Sequence, residues 1–541
     1  MTKNYRINLM PFLATLCFTF ILYAFPFLFA LNAYNEDADK RILVNFIFFV
    51  IVTIVLLLQK GIVRKFCLSI LSVIAIIPNI IVLSFLLMNQ TILKSTDFWV
   101  VFDTNPAEAS GFLTTLPLIS FLISAVYLVV FVASVFWAWR KEPNLQVHWG
   151  IRIIVLLSMF IIMVNLPFRA NVPSIDFYKS FVKYQKEKIE VRQFYENRKQ
   201  IQLNVTSKLP HGNKNIVIAI GESHTRNHMQ LYGYARPTNP KLAEIQNELC
   251  IYKDICSPAI QTLNCMKQIL TFANYETPDM YKQEASIVEL AKAAGYTTYW
   301  ADNHGSSSGF FAIDIYTPTS YRTIAHICDY YTDQNNSPCD SMILNRLDVF
   351  LSDTATSKVI FLHLIGSHFP YNLHCEEQYR VFNDNAVPSI FQSELTPQNL
   401  TIINDYDNSI LYNDYILREI IEKLRTQEGM SALLYFSDHG EEVFDSQVYA
   451  GRSFEKISPS MCQIPLILWR NTAFEMANPL SIDTNRQGCT DDIIYAMMDL
   501  LGVDYAMYDA KRSIFNDKYQ AKTRVVQGIP YEELLNRYKS K

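Results

Sequence analysis

The run Ile216-Val217-Ile218-Ala219-Ile220-Gly221-Glu222-Ser223-His224 decides how the larger part of this chain folds. Five apolar, mostly β-branched residues stand together without polar alternation, and a glycine ends them. So short and uninterrupted a run predicts a strand buried on both faces, as in a parallel sheet. The pattern returns twice. Ala432-Leu433-Leu434-Tyr435-Phe436 runs into Ser437-Asp438-His439-Gly440-Glu441, and Val359-Ile360-Phe361-Leu362 leads to Gly366-Ser367-His368. Further strands are predicted at 297–300 and 464–468, and helices at 286–294 and 408–426. Strands alternating with helices predict an α/β fold, a doubly wound mixed sheet with helices on both faces. In such sheets ligands bind beyond the carboxyl ends of the strands. That is where all three polar clusters fall.

The residue types at those ends suit a metal. Glu222, Asp438 and His439 around one divalent ion make a hard, oxygen-rich site with room for a substrate oxygen. Zinc is the first expectation, with manganese or magnesium as alternatives. Such an ion neutralises a phosphoryl oxygen and lowers the pKa of a coordinated hydroxyl. A nucleophile is expected in the segment 256–271, where an amphipathic helix begins near Thr262. A hydroxyl there gains from the positive helix end and its free N–H groups, which also suit a phosphate. Read by itself, Thr262 serves equally well as a plain helix cap.

Outward from the sheet, the composition divides the chain. Half of the 541 residues are hydrophobic, and every long apolar run lies before about residue 168. Five runs, at 9–34, 42–59, 66–88, 112–139 and 151–168, are long enough to span a bilayer core, which takes roughly 20 helical residues. The first is too long for a signal peptide and has no cleavage-like site. With the N-terminus inside, the cytoplasmic segments carry Lys3, Arg6, Lys60, Arg64, Lys65, Arg140, Lys141 and Arg152, against Lys40, Arg41 and Lys94 outside. Five spans then place the sheet outside the cytoplasm. Eight of the ten cysteines lie in that part (Cys250, Cys256, Cys265, Cys328, Cys339, Cys375, Cys462 and Cys489), an even number suited to an oxidising compartment and to disulfides. Cys328 with Cys339 is the local candidate pair. The expected domains are a five-helix transmembrane unit over 1–170, a bridging amphipathic helix and linker over 171–210, and a catalytic domain over 211–541. A net charge of −4 without a basic cluster excludes a nucleic-acid binder.

The chain resembles the phosphoethanolamine transferases, including lipid A-modifying and colistin-resistance enzymes, across its whole length. Gly221-Glu222-Ser223-His224-Thr225-Arg226-Asn227-His228-Met229-Gln230-Leu231-Tyr232-Gly233-Tyr234-Ala235-Arg236-Pro237-Thr238-Asn239-Pro240 looks like that family's first signature. Ser437-Asp438-His439-Gly440-Glu441 matches its SDHGE motif and Gly366-Ser367-His368 its G[SN]H motif. The resemblance implies a sulfatase-like catalytic domain, a zinc site of Glu222, Thr262, Asp438 and His439, and Thr262 as the nucleophile. It implies a phosphoryl or leaving-oxygen contact at His368. Thr104-Asn105-Pro106-Ala107-Glu108-Ala109, otherwise a helix start, becomes a substrate contact through Thr104, Asn105 and Glu108. The donor implied is phosphatidylethanolamine, the acceptor lipopolysaccharide or another envelope glycan, and the setting a monomer among inner-membrane lipids with a periplasmic catalyst. The pattern departs at Gln463, where the colistin-resistance enzymes have His, at Tyr449-Ala450-Gly451, where they have His-Gly, and in cysteine spacing around the nucleophile.

Three rivals are weaker. A true sulfatase needs Arg where Cys256-Ser257-Pro258-Ala259-Ile260 has Ile260. A glycerol-phosphate transferase of the lipoteichoic-acid synthase type shares the five-span plan but not the GYxRxT stretch. A non-enzymatic membrane sensor has no use for Glu222, Thr262, Asp438 and His439 together.

Overall fold

A computed structural model describes residues 9–24, 38–89, 118–145, 147–165, 203–303, 325–326, 339–384, 387–389, 391–453 and 456–539, with scattered positions between 178 and 193. Thr104, Asn105, Glu108 and Cys328 lie outside these residues. The described positions of the expected bridging segment, such as Tyr178, Val182, Lys186 and Ile189, are helical and exposed. The chain forms two compact units, a helical one drawn from residues before Glu190 and a second from Glu190 to Lys541.

Helices in the first unit are α1 (Met10–Thr19), α2 (Ala38–Leu58), α3 (Gly61–Asn89), α4 (Leu118–Arg140) and α5 (Trp149–Asn165). Each coincides with one of the five apolar runs. Among the described residues, only Gly61–Ile81 and Phe121–Arg140 are long and apolar enough to cross a membrane. The apolar parts of the others, Met10–Leu22, Phe46–Leu58 and Trp149–Ser158, are shorter. Phe18, Leu22, Val52, Leu56, Leu68, Leu83, Tyr127 and Phe131 form the core between the helices. Arg64 is fully buried there. Its guanidinium donates to the carbonyls of Leu56 and Ala138 (3.0 Å for the latter) and to Thr15 Oγ1 at 2.9 Å. A cation thus satisfies carbonyls near the C-terminal ends of α2 and α4, which have no partner within their own helices.

The second unit is built on an eight-stranded sheet. Its strands are β1 (Lys214–Gly221), β2 (Leu249–Cys256), β3 (Thr297–Asp302), β4 (Ala325–His326), β5 (Ser357–His363), β6 (Met430–Ser437), β7 (Gln463–Arg470) and β8 (Gln487–Cys489). The spatial order is β8-β2-β7-β6-β1-β5-β3-β4. All neighbours pair in parallel except β7, which runs against both β2 and β6. The expected α/β sheet with mixed strands is present. β2, β4 and β8 go beyond the strands legible in the sequence; β2 carries Lys253 and Asp254, which break its apolar run.

Side chains along β1 alternate between two cores. Ile216, Ile218 and Ile220 face α6 (Thr262–Leu270), α7 (Ile287–Ala293) and α10 (Ile493–Leu501). Val217 and Ala219 face α8 (Ser341–Leu351) and α9 (Pro397–Arg425). Burial on both faces explains the unbroken apolar run. α9 starts eleven residues earlier than the pattern at 408 predicts, because Thr396 and Asn399 form a reciprocal cap at Pro397. The expected disulfides are absent among the described residues. Cys250, Cys256, Cys265, Cys339, Cys375, Cys462 and Cys489 are free thiols, all but Cys250 buried, and they pack as small apolar groups.

Candidate active site at the rim of the sheet

Parallel register brings the polar strand ends together. Gly221 pairs with Ser437 across β1 and β6, and Ile220 with His363 across β1 and β5. Glu222, Asp438 and the loop to His368 therefore leave the sheet side by side. β2 points the same way and delivers the chain through Cys256 to α6, where Thr262 is the first helical residue.

Glu222, Asp438 and His439 are fully buried. One ligand atom from each lies within 4.8 Å of the others. His439 Nε2 is the meeting point: Glu222 Oε1 and Asp438 Oδ2 are each 3.3 Å away, and Thr262 Oγ1 is 3.2 Å away. Nδ1 of the same ring is 2.9 Å from the Gly440 carbonyl, to which it donates its hydrogen. That contact leaves the lone pair on Nε2, the arrangement a metal requires. Asp438 Oδ1 accepts from the backbone N–H groups of His439 (2.7 Å) and Ser223 (3.3 Å). Its buried Oδ2 accepts no hydrogen bond.

Electrostatics make the same demand. Burial works to raise the Glu222 carboxyl, but His439, His368 and Arg452 outweigh it and hold it well below the usual carboxylate range. Asp438 is pushed well above that range by burial and by the Glu222 charge. Two buried carboxylates this close ionise together only with a cation between them. An unused carboxylate oxygen, an imidazole lone pair and a second carboxylate converge on one point, so the residues fit a divalent ion. The mixed nitrogen and oxygen set suits zinc.

Thr262 is not the helix cap. Gln261 holds that position without a side-chain cap bond, and Thr262 Oγ1 instead donates to Glu222 Oε2 at 2.8 Å. A half-buried hydroxyl thus sits at the positive end of α6, directed into the carboxylate cluster. Ser223, with φ +55°, adopts a left-handed conformation that costs a non-glycine residue about 1–3 kcal/mol. Tyr406 holds it by donating to its carbonyl at 2.7 Å.

The loop bearing His368 is fixed from beneath. Asp340 accepts the backbone N–H groups of Ile365 and Gly366 at 3.0 and 2.9 Å, and Ser367 N–H donates to the Glu222 carbonyl at 3.0 Å. His368 itself is half-buried beside the site, close enough for its charge to act on Glu222. Gln463 does not join the cluster. Its Oε1 accepts from Asn227 at 2.9 Å and its Nε2 donates to the Tyr531 hydroxyl at 3.2 Å, which ties β7 to α11 (Tyr531–Lys539). Residues of the first signature beyond Glu222 build a buried network: His228, Tyr234 and Arg236 all bond Asp407, at 2.6, 2.9 and 2.6 Å. Sequence reading missed Arg452, Glu441, Tyr371 and Asp340. Glu441 ends a recognised motif; the others carry no local signal.

A family model described as Sulfatase matches residues 214–503. Phosphoethanolamine transferase EptC of Escherichia coli (strain K12) is 28% identical over 471 residues, covering 80% of this chain and 79% of that protein. Phosphoethanolamine transferase CptA of Salmonella typhimurium is 30% identical over 340 residues, 59% of this chain and 56% of that one. Among solved structures, the C-terminal periplasmic domain of EcEptC from Escherichia coli in complex with Zn is 29% identical, with a TM-score of 0.55 over 62% of this chain and 96% of that one. The integral membrane protein lipooligosaccharide phosphoethanolamine transferase A from Neisseria meningitidis shares the fold over 94% of this chain and 98% of that one, at 17% identity and a TM-score of 0.65. The chain therefore belongs to the sulfatase family, among the phosphoethanolamine transferases.

Proposed function

We propose that this enzyme moves phosphoethanolamine from phosphatidylethanolamine to a cell-envelope acceptor, lipopolysaccharide lipid A or a core sugar, through a phosphothreonine at Thr262. The observation that carries the reading is the Thr262 hydroxyl, held 2.8 Å from Glu222 and 3.2 Å from His439 at a helix N-terminus. Glu222, Thr262, Asp438 and His439 would hold zinc, with manganese or magnesium as alternatives. Bound there, the ion supplies charge neutralisation at the phosphoryl group and a lowered pKa for the hydroxyl.

The chain's own residues account for the remaining steps. Thr262 Oγ1 attacks phosphorus as its proton passes towards Glu222, and the P–O bond to diacylglycerol breaks. His368, beside the site, gives a proton to the leaving oxygen. The acceptor hydroxyl then gives its proton to His368 and attacks phosphorus, the bond from phosphorus to Thr262 Oγ1 breaks, and Glu222 returns the proton to Thr262. Thr104, Asn105 and Glu108 contact the donor in this reading. The assignment includes five spans within 1–170, a bridge over 171–210 and a catalytic domain over 211–541. It also includes a cytoplasmic N-terminus, a periplasmic catalyst in the inner membrane and a monomer. The distribution of basic residues supports the orientation.

Mass spectrometry of envelope glycolipids with and without the enzyme tests the reaction. A phosphoethanolamine-bearing species should appear with the wild type and vanish with Thr262→Ala. Transfer at the wild-type level by that variant would sink the mechanism.

A further inference from the structure

Arg452 reaches the Glu222–His439 cluster with its guanidinium, and no motif points to it. It follows the short strand Ala450–Gly451, which pairs with Glu442–Val443 just after Asp438 and His439. Its Nη1 lies 2.6 Å from His439 Nε2 and 4.0 Å from Glu222 Oε1, and donates to the Ile260 carbonyl at 3.4 Å. At the other edge of the guanidinium, Nε is 3.1 Å from Glu441 Oε2. Glu441 is buried and its Oε1 accepts from the Tyr371 hydroxyl at 3.0 Å. The arginine is therefore anchored by one carboxylate and lies against the ligand atom of another residue. Its side chain keeps 23% of its surface exposed.

The two edges have different fates when an ion arrives. His439 Nε2 has one lone pair, and a guanidinium hydrogen and a divalent cation cannot share it. Mutual repulsion of the cations adds to that exclusion. Nη1 must leave Nε2, whereas the Glu441 pair at Nε involves no metal ligand and persists. Binding thus frees the outer fork without removing its charge from the site. A planar fork with two adjacent donors matches two oxygens of a phosphoryl group, a geometry an ammonium lacks.

We propose that Arg452 is a phosphate-binding residue of this active site, anchored at Glu441 and presenting Nη1 and Nη2 to two non-bridging oxygens of the substrate's phosphoryl group. The proposal rests on the reading of the site as a phosphotransfer centre. It adds that the place near His439 is filled here by a fixed arginine.

The test uses the full-length protein in detergent, with two measurements on Arg452→Met. Zinc affinity, from competition with a chromophoric chelator, should stay the same or tighten, because a competitor for Nε2 has been removed. Inorganic phosphate binding to the zinc-loaded protein, by calorimetry, should weaken by about tenfold or more. Unchanged phosphate affinity overturns the proposal. So does a loss of zinc affinity of about tenfold, since Arg452 would then merely prop the ligand shell. If the methionine variant does not fold, Arg452→Gln repeats both measurements with the same outcomes. Phosphate binding does not depend on which phosphodiester is used or on the acceptor, so failure of the transfer reading and failure of this one are separate results.

Discussion

Gly366 packs against the backbone of Glu222 so closely that a Cβ on it would lie 3.0 Å from the Glu222 carbonyl oxygen and 3.1 Å from its nitrogen. Its φ of +49° is also left-handed. The glycine of the G-S-H motif is thus what lets the loop bearing His368 reach the strand end at Glu222. Both obstacles are backbone, which cannot rotate away.

Gly366→Ala should therefore cost stability of about 1–3 kcal/mol and reduce transfer more than it reduces zinc binding. Thermal unfolding and chelator competition on the same preparation check this. An alanine variant with wild-type melting and turnover would show that the loop has room the structure denies.

Asp438 Oδ2 is the clearest vacancy in the hydrogen-bond pattern of the site. Asp438→Asn replaces an anionic ligand with an amide and should lower zinc affinity by at least 10–100-fold. Chelation of the wild type should abolish transfer, and added zinc should restore it. Metal content by mass spectrometry after dialysis reads the first effect; transfer that survives chelation would remove the ion from the mechanism.

The buried imidazole of His228 lies between Asp407 and Asp445, at 2.6 and 3.4 Å. Burial works to lower its pKa, but the two carboxylates outweigh this and push it up to about 10. The unfolded value is about 6.5. Its stabilisation is therefore full below about pH 6.5 and is lost as pH rises through about 10, because unfolding in that window releases a proton. The slope is about 1.4 kcal/mol per pH unit for the one proton. Melting temperature should fall between pH 7 and 9.5 in the wild type and fall less in His228→Gln. Equal slopes in both proteins would refute the assignment.

Arg64 joins α1, α2 and α4 from its place on α3. Arg64→Met keeps the apolar stem but leaves two buried carbonyls and Thr15 short of a donor, a loss of about 1–3 kcal/mol per group. Thermal unfolding in detergent should show the helical unit melting earlier, while zinc affinity of the other unit stays unchanged. A helical unit that melts as before would mean that other groups reach those carbonyls.

The sequence by itself determined five strands of the sheet and the convergence of Glu222, Asp438 and His439 at its rim. Strands buried on both faces write themselves as unbroken apolar runs, and parallel pairing puts their polar ends on one rim. Glu222 and Asp438 had to converge once β1 and β6 were neighbours, and His439 followed with them. From the residues alone Thr262 was legible as the start of a helix, and the family resemblance added the nucleophile; its turn away from the cap and towards Glu222 is a tertiary fact. Gln463 stood in the sequence as a departure within the site, yet in the fold it bonds Asn227 and Tyr531, outside the cluster. An even number of cysteines suggested bridges, while the described ones are unbridged. Arg64 reads as one more basic residue beside a span, and Arg452 as an arginine in a loop. What each does depends on partners far away in the chain: Leu56, Thr15 and Ala138 for one, His439 and Glu441 for the other. Periodicity and motifs report forces between near neighbours. Which cation meets which buried carboxylate or carbonyl is fixed only when strand register and helix packing bring distant segments within a few ångströms.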